Sequence, residues 1–256
     1  MFRRHDEDTA SATALAGGLR PPARGLYDPQ SEHDACGVGF VVDIKGRRSH
    51  EIVQMALRVL VNLEHRGATG AEVNTGDGAG ILVQTPDAFL RTAVPFALPE
   101  PGGYGAGLVF LPHKASDRKA IKDVIEHIVE DEGQSLLGWR DVPTDDSLLG
   151  DGAKATQPIF QHLIIGAGAS TELGTPGGTL GFERKLYVLR KRIEAAVDAL
   201  QIDPLSRQLF YIVSLSCRTL LYKGMLTARQ LKPMFPDLSD ERFDSSLALV
   251  HQRFST

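Results

Sequence analysis

Residues 31–40 read SEHDACGVGF, a lone cysteine set between a polar, proline-containing leader and the first strand-like run of the chain. A thiol buried only for packing would have apolar neighbours on both sides, whereas Cys36 follows His33 and Asp34 and precedes Gly37 and Gly39. Two readings stand. In one, Cys36 is a structural thiol at a strand start. In the other, cleavage after Ala35 frees it as a nucleophile whose thiol and new α-amino group belong to one residue. An α-amine titrates near pH ~8, so it is partly neutral in a cell and can take the thiol proton without a histidine.

Upstream, residues 1–30 mix charge, Ala, Gly and Pro without periodicity, so residues 1–35 read as a disordered leader or propeptide, with order starting near Tyr27. Asp6, Glu7 and Asp8 stand where an export signal would need an apolar run. Downstream, GVGFVVD (37–43) reads as a buried strand closed by a turn at Lys45-Gly46. Ile52, Ala56, Val59, Leu60 and Leu63 then make a helical stripe ending near Gly67. Strands are expected at 80–86, 107–112 and 158–166. Between them a helix carries Ile121, Val124, Ile125, Ile128 and Val129, with Ser116 as its N-cap. Residues 131–157 read as a long connection. A third helix aligns Leu186, Leu189, Ile193, Ala196, Val197 and Leu200. Two strands, LFYIVSLS and RTLLYKGM, follow, then a short helix with a Thr227/Gln230 capping box and a last strand, SLALVHQRF. Strands and helices are segregated more than alternating, which predicts α+β layers and not a doubly wound parallel sheet.

At 256 residues, 42% hydrophobic and 23% charged, the chain can bury a sizeable core. A formal net charge of -4 and the absence of a basic, aromatic-interleaved run argue against nucleic acid and anionic membrane as partners. No apolar run approaches the ~20 residues that span a bilayer. With two cysteines, Cys36 and Cys217, neither a disulfide framework nor a four-ligand zinc site can be written, and a reducing, cytoplasmic setting is expected.

Four stretches could carry chemistry besides the cysteine block. TGDGAG (75–80) is a Gly-rich turn that lacks the Gly-Lys-Ser/Thr of a phosphate cradle. His65 has no second ligand at metal-binding spacing. LIIGAGAST (163–171) imitates a dinucleotide fingerprint, but ELGTPGG follows where a helix must begin. In LVHQRFST (249–256) the strand-end Arg253 is either a solvated charge or a planar fork for a carboxylate. Cys217, in an apolar run, is expected in the core.

The blocks HDACGVGF, LEHRGATGAE, TGDGAGIL and HQRFST, in this order, resemble the N-terminal glutaminase domain of glutamate synthase large subunits, a class II glutamine amidotransferase. ERKLYVLRKRIE (183–194) fits as well. The resemblance implies a four-layer αββα sandwich of the N-terminal nucleophile hydrolase type, with 1–35 as propeptide and 36–256 as the amidotransferase domain. It implies Cys36 as nucleophile and, once cleaved, α-amino base. It implies that Arg66 and Gly67 support it and that Arg253 and Thr256 hold L-glutamine. No metal or cofactor is implied for this stretch. The full enzyme would carry FMN and an iron-sulfur cluster, draw electrons from a reduced nicotinamide or ferredoxin, and work with the rest of the large chain and a small electron-transferring subunit.

The family's Asn-Gly oxyanion donors and the Asp for the glutamine α-amine are not found before Thr256. The domain is therefore expected to be incomplete at its C-terminus, and residues 36–256 alone to be nearly inactive, since one lost oxyanion donor costs ~10² to 10³ in rate. Two other readings stay open: a different class II amidotransferase, of the phosphoribosyl or hexosamine-forming kind, and an uncleaved, non-catalytic regulatory or interaction module with the same fold.

Overall fold

Strand alternation in GVGFVV places Gly39 and Val41 on one side and Val38, Phe40 and Val42 on the other. On the first side a Cβ at Gly39 would stand 2.5 Å from Val59 Cγ1, so the glycine is what lets the following helix lie flat on the strand. That packing begins a fold of two sheets and flanking helices. The computed structural model describes residues 37–66, 74–169, 171 and 178–252.

The elements run β1 (Gly37–Val42), α1 (His50–Asn62), β2 (Ala79–Gln84), α2 (Asp87–Ala93), β3 (Tyr104–Leu111) and α3 (Ala115–Asp131). They continue with β4 (Ser135–Asp141), α4 (Asp151–Ala155), β5 (Ile159–Gly166), α5 (Gly178–Asp198) and α6 (Pro204–Leu209). The last are β6 (Tyr211–Ile212), β7 (Thr219–Gly224), α7 (Leu231–Met234) and β8 (Leu247–Gln252). One antiparallel sheet has the order β1-β8-β2-β7 and the other β4-β5-β3-β6. This is the expected α+β sandwich class.

The helical stripes found in the sequence are the buried faces. Ile52, Ala56 and Leu60 of α1 cover Ile81, Val83, Ala248 and Val250 of the first sheet. Ile121, Ile125, Ile128 and Val129 of α3 meet Leu186, Leu189, Ile193 and Val197 of α5 over Val109, Leu111, Leu163 and Ile165 of the second sheet. The opposite side of β3 and β5 (Tyr104, Ala106, Leu108, Phe160, Ile164) joins the core of the first sheet at Leu220 and Tyr222. Each fully buried aliphatic side chain contributes about 1.5–3 kcal/mol relative to leaving it exposed.

Departures have local causes. The stretch 131–157 holds β4 and α4, missed because β4 is half-exposed along its length and interrupted by a bulge between Leu136 and Gly138, which erases the alternation. Gly138 has φ 154°, and the Phe96 ring fills the space of its missing side chain. In LFYIVSLS only Tyr211–Ile212 forms a ladder, after which the chain keeps single contacts, Val213 N to Leu108 O and Ser216 N to Ala106 O. Helix α3 starts at Ala115, and the Ser116 hydroxyl donates to Asp117 Oδ1 instead of capping it.

A buried polar cluster ties the sheets together. Arg140 on β4 donates two bonds to Asp237, at 2.7 and 2.8 Å, and Tyr222 on β7 donates to the same carboxylate at 2.6 Å. His162 on β5 is fully buried beside them, its Nδ1 3.4 Å from Arg140 Nη1 and its Nε2 without a partner. Burial, then the Arg140 charge, pushes the imidazole down to about 3. The unfolded histidine titrates near pH ~6.5, so between that pH and about 3 the unfolded chain takes a proton the native state refuses. Stability contributed by neutral His162 is complete above the unfolded value and falls as pH drops through this window. His162→Gln should therefore show a shallower loss of urea midpoint from about pH 7 to pH 4 than the parent, and equal slopes would reject this assignment.

Candidate active site

Gly37 pairs directly with Gln252, which sets the start of β1 beside the end of β8. Cys36 and Arg253 are the sequence neighbours of Gly37 and Gln252 and lie, with Gly67 and Thr256, outside the described residues. Arg66 is described. It ends a 3₁₀ turn (Glu64–Arg66) whose backbone closes by Arg66 N donating to Leu63 O at 2.8 Å. A Cβ on Gly37 would stand 3.0 Å from Arg66 Cβ and 3.3 Å from Leu63 Cβ. The glycine after the cysteine thus admits the arginine-bearing turn against the strand start. The turn is also pinned outside by Arg229 and Glu64 at 2.9 Å, an exposed pair of little energetic weight.

The Gly-rich loop leads into the neighbouring strand, and its glycines have distinct reasons. Gly78 has φ 133°, a left-handed conformation that favours glycine. At Gly80 a Cβ would stand 2.3 Å from His251 Nε2 and 2.9 Å from Lys223 Cβ, because Val38, His251, Gly80 and Lys223 form one row across the sheet. This row is next inward from the Gly37–Gln252 row. At Gly76 a Cβ would stand 2.4 Å from the Leu226 carbonyl and 2.5 Å from Thr227 N, backbone that cannot swing aside. Gly76→Ala is therefore expected to cost about 1–3 kcal/mol, or a melting temperature lower by ~2–10 °C. A calorimetric scan with an unchanged midpoint would sink that expectation.

Gln230 holds the same loop. The capping-box reading accounts for one bond, Thr227 N to Gln230 Oε1 at 2.8 Å. The side chain's Nε2 also donates to Asn74 O and Leu148 O, both at 2.8 Å, joining three segments at one amide. Nothing in the local pattern signals this, since the two carbonyls lie 156 and 82 positions away.

The decoys resolve by packing. After Gly166 no helix begins among the described residues before Gly178, and Gly168 is needed because its Cβ would collide with Gly133 O at 1.7 Å. His65 Nδ1 shares a hydrogen bond with Asn62 O at 3.0 Å. Among the described residues no three His, Cys, Asp or Glu side chains gather as a metal site, and no helix is long and apolar enough to cross a membrane. Cys217 is buried between β6 and β7, donating to Glu183 Oε2 at 3.1 Å. Burial, with Glu183 beside it, pushes this thiol up to about 12, which makes it unreactive.

Comparison with known proteins shows the family. The family model "Glutamine amidotransferases class-II" matches residues 36–256. The NADPH-dependent glutamate synthase large chain of Bacillus subtilis is 45% identical over 237 residues, 92% of this chain and 15% of its own length. The NADH-dependent glutamate synthase of Schizosaccharomyces pombe is 38% identical over 255 residues, covering 98% of this chain and 12% of that one. A chloroplastic ferredoxin-dependent glutamate synthase of Arabidopsis thaliana is 36% identical over 254 residues, 98% and 15% of the two chains. The chain thus spans 15% or less of the length of these curated relatives.

Proposed function

The chain belongs to the class II glutamine amidotransferases, and from that premise we propose that it is the glutamine-hydrolysing part of a glutamate synthase. The observation that carries the site assignment is the Gly37–Gln252 pairing with the Arg66 turn packed on Gly37, because it draws three distant stretches to one strand end. Removal of residues 1–35 would leave Cys36 with a free α-amine. That amine takes the thiol proton, and the thiolate attacks the side-chain amide carbon of L-glutamine. The tetrahedral intermediate collapses to a γ-glutamyl thioester as the protonated nitrogen leaves as ammonia. Water then attacks the thioester, freeing glutamate and the thiol. Arg253 pairs with the substrate α-carboxylate, the geometry a guanidinium fork serves best. Thr256 adds a hydroxyl, while Arg66 and Gly67 shape the nucleophile's surroundings.

In the longer polypeptide the ammonia would pass to 2-oxoglutarate and the imine would be reduced through FMN. This chain does not fit an iron-sulfur cluster: it has two cysteines, and Cys217 is engaged with Glu183 in the core. Those groups, the electron donor and a small electron-transferring subunit belong to the proposal for the whole protein. The relatives' names include NADPH, NADH and ferredoxin dependence. A reducing compartment such as the cytoplasm suits a free nucleophilic thiol.

Mass spectrometry of N-terminal peptides from the native cells tests the reading. A peptide beginning at Cys36 supports it. Retention of residues 1–35 on the functioning protein leaves the thiol without its base and favours the non-catalytic module.

A further inference from the structure

A cavity of about 500 Å³ opens between the β3/β6 edge, α4 and α7; its lining reaches Thr75 of the Gly-rich loop and Gly224, which lies in the Gly37–Gln252 row at the β7 edge of the first sheet. Its floor is aromatic. Phe110 and Phe160 meet edge to face at 4.9 Å and 81°, Phe160 and Phe235 at 5.4 Å and 86°, and Tyr211 continues the ladder from Phe110 at 6.0 Å. Met225 and Met234 add polarizable sulfur to the wall. At the rim Met225 is 56% exposed, and Tyr211, 41% exposed, has the Lys223 ammonium 4.6 Å from its ring centroid.

Two hydrogen bonds join two of the cavity's walls. The wall at 145–149 and the wall at 230–234 are tied together by Gln230 Nε2 donating to Leu148 O at 2.8 Å and Asp145 N donating to Met234 O at 3.1 Å. The cavity's volume lies in the range of small-molecule sites.

We propose that this cavity binds a neutral, flat, fused-ring molecule. Shape follows from the ring ladder, whose part-exposed members Phe110 and Tyr211 offer ring surface to a flat guest. Neutrality follows from the lining: among the described residues it includes no charged side chain, only hydroxyl and amide groups such as Thr156, Gln157 and Gln208. The proposal stands independently of the glutaminase reading.

The test uses the 256-residue chain labelled with ¹³C-methyl methionine and titrated with 2-naphthol. The Met225 and Met234 methyls should shift saturably while Met55, on α1, stays still. Ala153→Phe, which fills the cavity from α4, should abolish the shifts, and Tyr211→Ala, at the exposed rim, should weaken binding up to about tenfold. No saturable shift up to the probe's solubility would overturn the site, as would parallel movement of Met55. Should Ala153→Phe fail to fold, unchanged affinity in Tyr211→Ala overturns it instead.

Discussion

Cys36→Ala is expected to lower glutamine hydrolysis by ~10⁴ to 10⁶-fold in the longer polypeptide freed of residues 1–35, with cooperative unfolding unchanged. The magnitude is that of removing a nucleophile whose chemistry nothing else can perform. The only other thiol in the chain, Cys217, is buried, bonded to Glu183 and held at about 12, so it cannot substitute. Folding should be spared because the thiol sits one residue before β1, whose ladder to β8 starts at Gly37. Covalent capture separates chemistry from binding: an electrophilic glutamine analogue should label the parent on the peptide starting at Cys36 and leave the variant unlabelled. Turnover within tenfold of the parent in Cys36→Ala would remove the cysteine from the mechanism.

Asp237→Ala should lower stability by about 3–5 kcal/mol. The carboxylate is 3% exposed and accepts from two Arg140 nitrogens and from the Tyr222 hydroxyl. Burial alone would pull the Arg140 guanidinium down, but the Asp237 bonds and charge hold it above its ordinary value, so the guanidinium stays charged. Removing Asp237 leaves a buried cation, and a buried phenol already pushed well up by burial, without their acceptor. Arg140→Met combined with Asp237→Leu should recover the part of the loss due to the unpaired cation, while the Tyr222 hydroxyl still lacks its acceptor. Urea unfolding of the single and double variants measures both. A single-variant loss under about 1 kcal/mol would show the cluster to be incidental.

The class of the fold was legible because its signals are local. A helix shows its buried face every three or four residues, and the stripes at Ile121–Val129 and Leu186–Val197 are the faces that pack over the second sheet. The candidate site was legible in part. Its blocks are short and ordered, and the described structure brings the Arg66 turn to Gly37, the residue after Cys36. Half-exposed β4, broken by a bulge, had no period to read.

By itself the sequence determined the α+β class, the helical faces, the strand that follows Cys36 and the family to which the chain belongs, since each rests on neighbouring residues or on the order of short blocks. Only the tertiary structure decided why Gly37, Gly76 and Gly80 must be glycine, that Gln230 clamps the Gly-rich loop, and that Arg140 meets Asp237 across 97 positions. Those facts are close approaches between segments far apart in the chain. Their cause is steric exclusion and the need to pair buried polar groups, which no local pattern encodes.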